Sequence, residues 1–112
     1  MIMNILDDLS SELHETAVSK GFWGPPEQMD KYMAKLMLVT SELAEILEAL
    51  RKGKGPEKVA EEFADAQIRL MDLWRALKND GVIPKEIMLD AALLGKAAVN
   101  IGRPALHGHV WG

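Results

Sequence analysis

The stretch S-E-L-A-E-I-L-E-A-L, residues Ser41 to Leu50, sets Glu42 and Glu45 among leucines that recur at helical spacing. Residues three apart share a face of an α-helix, so the two carboxylates sit together. A second pair, Glu62 and Asp65, follows in E-E-F-A-D-A, residues 61–66. Where a plain helical bundle gathers methyl groups, this chain gathers carboxylates. At about 100° per residue, Leu38, Glu42, Glu45 and Ala49 fall within a sector of roughly 60°, flanked by Val39 and Ile46. The next helix puts Glu62, Asp65, Arg69 and Ala76 in one sector, bordered by Ala66 and Leu73. Either pair alone fits a solvated face, with Lys58 and Glu62, or Asp65 and Arg69, as ordinary surface ion pairs. Two such pairs on apolar-flanked sectors of consecutive helices point to carboxylates facing one another. In a partly desolvated site they need protons, bases or cations to neutralise them. Mg2+ takes oxygen ligands and keeps several waters, so carboxylates from two helices can hold it and leave positions for a phosphate. Di-iron bundles use Glu-x-x-His, and here the place of the histidine is taken by Glu45 and Asp65, which disfavours iron.

Outward from these motifs the chain reads as all-α. Ile2, Leu6, Leu9, Leu13 and Ala17 predict a first helix ending near Lys20, before the glycines and prolines of K-G-F-W-G-P-P. Tyr32, Leu36, Leu43, Leu47 and Leu50 stripe a second, stopped by Gly53 and Gly55. Val59, Phe63, Leu70, Trp74 and Leu77 stripe a third over residues 56–78, with Pro56 in its first turn. Pro84 is expected to open a fourth that runs to Asn100 and Gly102, before a tail over 103–112. With 112 residues the expectation is one four-helix-bundle-like domain with a modest core, for which oligomerisation is plausible.

Composition narrows the function classes. The chain is 48% hydrophobic but only 5% aromatic, which suits helices. A net charge of −4 without a basic stripe argues against a nucleic-acid backbone as partner. Without cysteine there is neither a disulfide framework nor a thiolate metal site. No apolar run nears the roughly 18 residues of a spanning helix, and the N-terminus carries acids where a signal peptide carries bases. The expectation is no membrane and, by default, the cytoplasm.

Glu42-Leu43-Ala44-Glu45, sixteen residues, then Glu62-Phe63-Ala64-Asp65 resembles the Glu-x-x-Glu and Glu-x-x-Asp signature of the MazG-like all-α nucleoside triphosphate pyrophosphohydrolases. H-E-T-A-V-S-K-G-F-W, K-L-M-L-V-T-S-E-L-A-E-I-L-E-A-L-R-K-G-K, E-E-F-A-D-A-Q-I-R-L-M-D-L and N-I-G-R-P-A-L-H-G-H extend the likeness, to the small single-domain members of bacteria and phages, over most of the chain. The resemblance implies hydrolysis of a nucleoside triphosphate to monophosphate and pyrophosphate. It implies Mg2+, with Mn2+ a possible substitute, on Glu42, Glu45, Glu62 and Asp65. It also implies a homodimer or homotetramer of helical bundles with sites near the subunit contacts.

Within that reading, Glu42 or Glu45 takes the proton of the attacking water. Lys96, Asn100, Arg103 and Lys54 are candidates for the triphosphate, against the plainer reading of solvating side chains and, for Arg103, a helix cap. His14, Phe22 and Trp23 around the first loop are candidates for the nucleobase, although a loop Trp also serves as a core plug. Arg69 either orients Asp65 from behind or forms an ordinary ion pair with it. Asp72 stays outside the metal set, and His107 and His109 in the tail have metal-binding character only in composition. Two alternatives remain open: an enzyme of the phosphoribosyl-ATP pyrophosphohydrolase kind, and a non-catalytic helical binding or assembly module.

Overall fold

Helix ends in this chain are written by glycine. At the end of the first helix Gly21 takes φ +77°, and the amides of Gly21 and Phe22 return to the carbonyls of Val18 and Ala17. Gly53, at φ +58°, ends the second the same way, with Gly53 and Lys54 bonding back to Leu50 and Ala49. A side chain at that left-handed position is strained, which is why the chain places Gly there. A computed structural model describes residues 4–24 and 30–104. Among them are four helices and no strand: α1 (Ile5–Ser19), α2 (Asp30–Arg51), α3 (Pro56–Asn79) and α4 (Leu89–Ile101). The tail histidines His107 and His109 lie outside the described residues. No described helix is long and apolar enough to cross a membrane.

The fourth helix departs from its expected start. Pro84 opens only a turn, closed by the Ile87 amide on the Pro84 carbonyl, and Met88 is extended before the helix begins at Leu89. The reason is tertiary: the Leu89 amide donates to Asp7 Oδ1 at 2.9 Å, so α4 starts where α1 supplies an acceptor. The capping is reciprocal, because the Asp90 carboxylate accepts the Leu6 and Asp7 amides of α1 at 3.0 and 2.8 Å. Each carboxylate answers the unpaired amides and partial positive charge of the other helix's N-terminus.

α3 is the central element, packed along α2 on one side and α1 on the other, while α4 leans on α1. The buried apolar residues are Ala17, Ala49, Ala66, Met71, Leu73 and Ala76. Alanines at the seams let the helix axes approach closely, but they enclose little volume. The expected leucine stripes are therefore not a core within one chain: Leu43, Leu47, Leu50, Phe63 and Leu70 stay exposed, and every residue from Ala91 to Pro104 does so too.

Polar residues fill much of the interior instead. Asp7, 3% exposed, accepts from Trp74 Nε1 at 2.8 Å, Arg75 Nη2 at 2.7 Å and Lys78 Nζ at 2.9 Å as well as from Leu89. Four donors saturate the lone pairs of one carboxylate. Burial pushes the Asp7 carboxyl upward, but the bonds from Lys78, the Leu89 amide and Trp74 outweigh it and hold the pKa at about 2.

Candidate functional site

Glu42 on α2 and Glu62 and Asp65 on α3 come together where the two helices pack. One carboxylate oxygen from each lies within 4.8 Å of the others. The helical register explains the meeting: Ala49, 1% exposed and two turns beyond Glu42, and Ala66 and Ala76 on α3 hold the helices close along the same sectors that carry the acids. Glu62 is buried and Asp65 exposed, so the group lies at the rim of the interface and opens to solvent.

Glu45 is not in this group. Three residues of helix turn it about 60° from Glu42 around the axis of α2, and it stands exposed beside the cluster. The structure thus gathers three of the four expected ligands and leaves the fourth at the edge.

Two cations already face the acids. Lys58 Nζ lies 3.1 Å from Glu62 Oε1, which holds the ammonium pKa above its ordinary value through that hydrogen bond and the charge of the carboxylate. Arg69 corrects an expectation. Its Nε donates at 2.9 Å to Glu42 Oε1 across the helix pair, not to Asp65 one turn before it. Glu42 is the acid that approaches the guanidinium from the opposite helix with a side chain only 17% exposed, where an ion pair is less screened than on the open face of Asp65.

The group borders a cleft of about 270 Å³ lined by Glu42, Asp65, Arg69 and Asp72 and by the apolar Leu13, Ala17, Phe22 and Ile68, with Thr16. Charged and apolar side chains thus share one cleft. Phe22 lines this cleft, whereas His14 and Trp23 line a neighbouring one of about 210 Å³. Asp72 joins the two. Buried on α3, it accepts from Trp23 Nε1 at 3.1 Å to each oxygen and lies 2.7 Å from His14 Nδ1. The His14 ring meets Trp23 edge-on at 5.1 Å, and Lys35 Nζ sits 4.4 Å over the indole. Lys35 also donates to the Phe22 carbonyl. Burial pushes the Lys35 ammonium below its ordinary pKa, against the pull of Asp72 and with the repulsion of Arg69. Trp23 is thus fixed on one face, one edge and its N–H, a built wall of the pocket.

Sequence reasoning missed Lys35 here and left Asp72, two helical turns beyond Asp65, between a further acidic contact and a solvated face. Lys35 precedes Glu42 by the same interval, but nothing marked it apart from other exposed-looking lysines. Conversely, Lys96, Asn100 and Arg103 on and after α4, and Lys54 after α2, are exposed and line none of these clefts. Within one chain they are not brought to the acids, because α4 packs on α1 rather than on the α2–α3 face.

As a donor set, Glu42, Glu62 and Asp65 offer only carboxylate oxygens, crowded and partly withdrawn from water, which fits a hard divalent cation and not a soft one. Comparison with protein-family models, with curated proteins and with solved structures finds no match.

Proposed function

We propose that the chain is a divalent-cation-dependent nucleoside triphosphate pyrophosphohydrolase of the MazG-like, all-α kind, acting on canonical or damaged deoxynucleotides of the cytoplasmic pool. The observation that carries the reading is the convergence of Glu42, Glu62 and Asp65 from two helices on the mouth of a cleft with an apolar wall. Their order in the chain matches the family signature, and their meeting in space is an independent requirement that the signature alone does not guarantee.

Glu42, Glu62 and Asp65 would hold Mg2+, with Mn2+ as a substitute. When bound, the ion supplies charge neutralisation on phosphate oxygens and a lowered pKa for an attacking water. The chain's own residues divide the remaining work. Glu45, exposed and one turn from Glu42, is free to accept the proton of that water. Arg69, which lines the cleft, brings positive charge to a polyphosphate, and Lys35, over the Trp23 ring, adds to the field behind it. Leu13, Phe22 and Ile68 give a nucleobase an apolar seat, and Asp72 keeps Trp23 and His14 in register beside it.

The reading includes a homodimer or homotetramer. Among the described residues four of the six buried apolar ones are alanine, while Leu43, Leu47 and Leu50 of α2 and Leu93, Leu94, Val99 and Ile101 of α4 are exposed, Ile101 at 85%. A helix that is apolar around much of its circumference belongs in an interior, and a second copy supplies one whenever the chain is folded. In such an assembly Lys96, Asn100 and Arg103 serve the site of a neighbouring copy.

The test is a panel of nucleoside triphosphates with and without Mg2+, reading pyrophosphate and monophosphate separately, with Glu62→Gln and Glu45→Gln as controls. Pyrophosphate release that needs Mg2+ and both glutamates is the expected outcome. An inert wild type across the panel overturns the reading in favour of a helical assembly module.

A further inference from the structure

Three carboxylates within 4.8 Å of one another repel, and the fold holds them there with Arg69 on Glu42 and Lys58 on Glu62. The two cations differ in origin. Lys58 sits one turn before Glu62 on the same helix with its side chain 44% exposed, an arrangement any solvated i, i+4 pair adopts. Arg69 instead passes over Asp65 on its own helix, crosses from α3 to α2, and gives its Nε–H to Oε1 of the less exposed Glu42. It also lines the cleft beside Glu42 and Asp65, so it faces the space a substrate enters.

Charge decides what happens next. Three carboxylates against two cations leave one net negative charge, and a divalent cation turns that into one net positive. The reason for a guanidinium to remain on Glu42 is then gone, and the reason for an anion to arrive has appeared. We propose that Arg69 is a displaceable counter-ion of the acidic group: it neutralises Glu42 until a divalent cation claims that carboxylate, and its released guanidinium then takes a phosphate in the cleft. This rests on the reading of Glu42, Glu62 and Asp65 as a cation site and adds to it an order of events, cation before polyphosphate. Arg69 thereby acts as a positioning residue in the empty state and as a phosphate ligand in the filled one.

The experiment follows the Arg69 Nε–H resonance of the full chain by nitrogen-15 NMR during titration with Mg2+, assigned by its loss in Arg69→Gln. Calorimetric Mn2+ affinity is measured for wild type, Arg69→Gln and Arg69→Lys. In the expected result the protected Nε–H signal collapses to a solvent-exchanging one as Mg2+ saturates and returns with chelator. Arg69→Gln then binds Mn2+ about five- to tenfold tighter, as expected from removing a nearby positive charge in a partly screened site. Arg69→Lys, which keeps the charge, stays near wild type. Cation binding with the Nε–H still protected overturns the inference and leaves the cation site standing. So does a 10- to 100-fold loss of affinity in Arg69→Gln, of the order expected when a group that orients a ligand is removed. No binding of either ion by wild type or Arg69→Gln overturns the cation site and the inference together.

Discussion

The Trp23 Nε1 lies 3.1 Å from both carboxylate oxygens of Asp72, tying a loop side chain to α3 two helical turns beyond Asp65. The same carboxylate holds His14 at 2.7 Å, so one acid sets the position of both aromatic rings beside the cleft. Replacing Asp72 with Ala leaves a half-buried indole N–H and an imidazole without their acceptor, a loss of about 1–2 kcal/mol in stability. Urea unfolding measures that loss. In turnover the expected signature of Asp72→Ala is a raised KM for the triphosphate, with a smaller change in kcat, since in the proposed reading the rings stand beside the base and away from the reacting phosphorus.

Asp7 predicts an acid limb of stability. Its folded pKa of about 2 lies below the ordinary 3.8, so the carboxylate stabilises the fold above the ordinary value and loses that contribution as pH falls through the folded one. The difference is worth roughly 2 kcal/mol at neutral pH, disappearing mostly between about pH 5 and pH 2. Thermal unfolding across that range checks it. Asp7→Asn should cost roughly 3 kcal/mol at pH 7 and flatten the limb, because Arg75 and Lys78 then lack the charge they were paired with.

Lys35 covers one face of Trp23 and lies within the field of Asp72 and Arg69, which line the cleft. Lys35→Met keeps the aliphatic contact with the indole and removes the ammonium. The expected result is a several-fold rise in KM for a triphosphate and a smaller rise for the corresponding monophosphate as inhibitor, as about 1 kcal/mol of charge interaction is lost. Steady-state kinetics with product inhibition separates the two.

The exposed face of α4 gives a prediction about mass. Leu94 and Ile101 are 69% and 85% exposed, and in a monomer Leu94→Asp with Ile101→Asp would change stability by no more than about 0.5 kcal/mol each. In the proposed assembly the double variant should sediment as a smaller species than wild type, whose mass is a multiple of 12.4 kDa. Sedimentation equilibrium at micromolar concentration reads the difference directly.

Periodicity and punctuation made the helices legible. Pro56 at the start of α3 and Gly53 at the end of α2 act locally, through φ and missing donors, so their meaning survives without the rest of the fold. The start of α4 was not legible, since it is fixed by an amide on Asp7, more than eighty residues away. The acidic sectors of α2 and α3 were readable because register is a property of one helix. The partner of Arg69 was not, because it depends on how two helices are set against each other. The leucine stripes marked apolar faces correctly but could not say whether those faces close within one chain. Asp72 stayed open between contact and solvated face for want of its partners, which come from α1 and the first loop.

The mutual capping of Asp7 and Asp90 has a consequence for how the chain opens. Neither helix can begin in its native place without the other, for Asp90 holds the first amides of α1 and Asp7 holds the first of α4. Fraying of either end removes the acceptor that the other depends on, so the two segments should exchange their amide hydrogens as one unit with a shared opening free energy. Replacing Asp90 with Ala would therefore loosen α1 and α4 together, and the amides at both their starts would lose protection while those of the α2–α3 pair, and with them the carboxylate group, kept theirs.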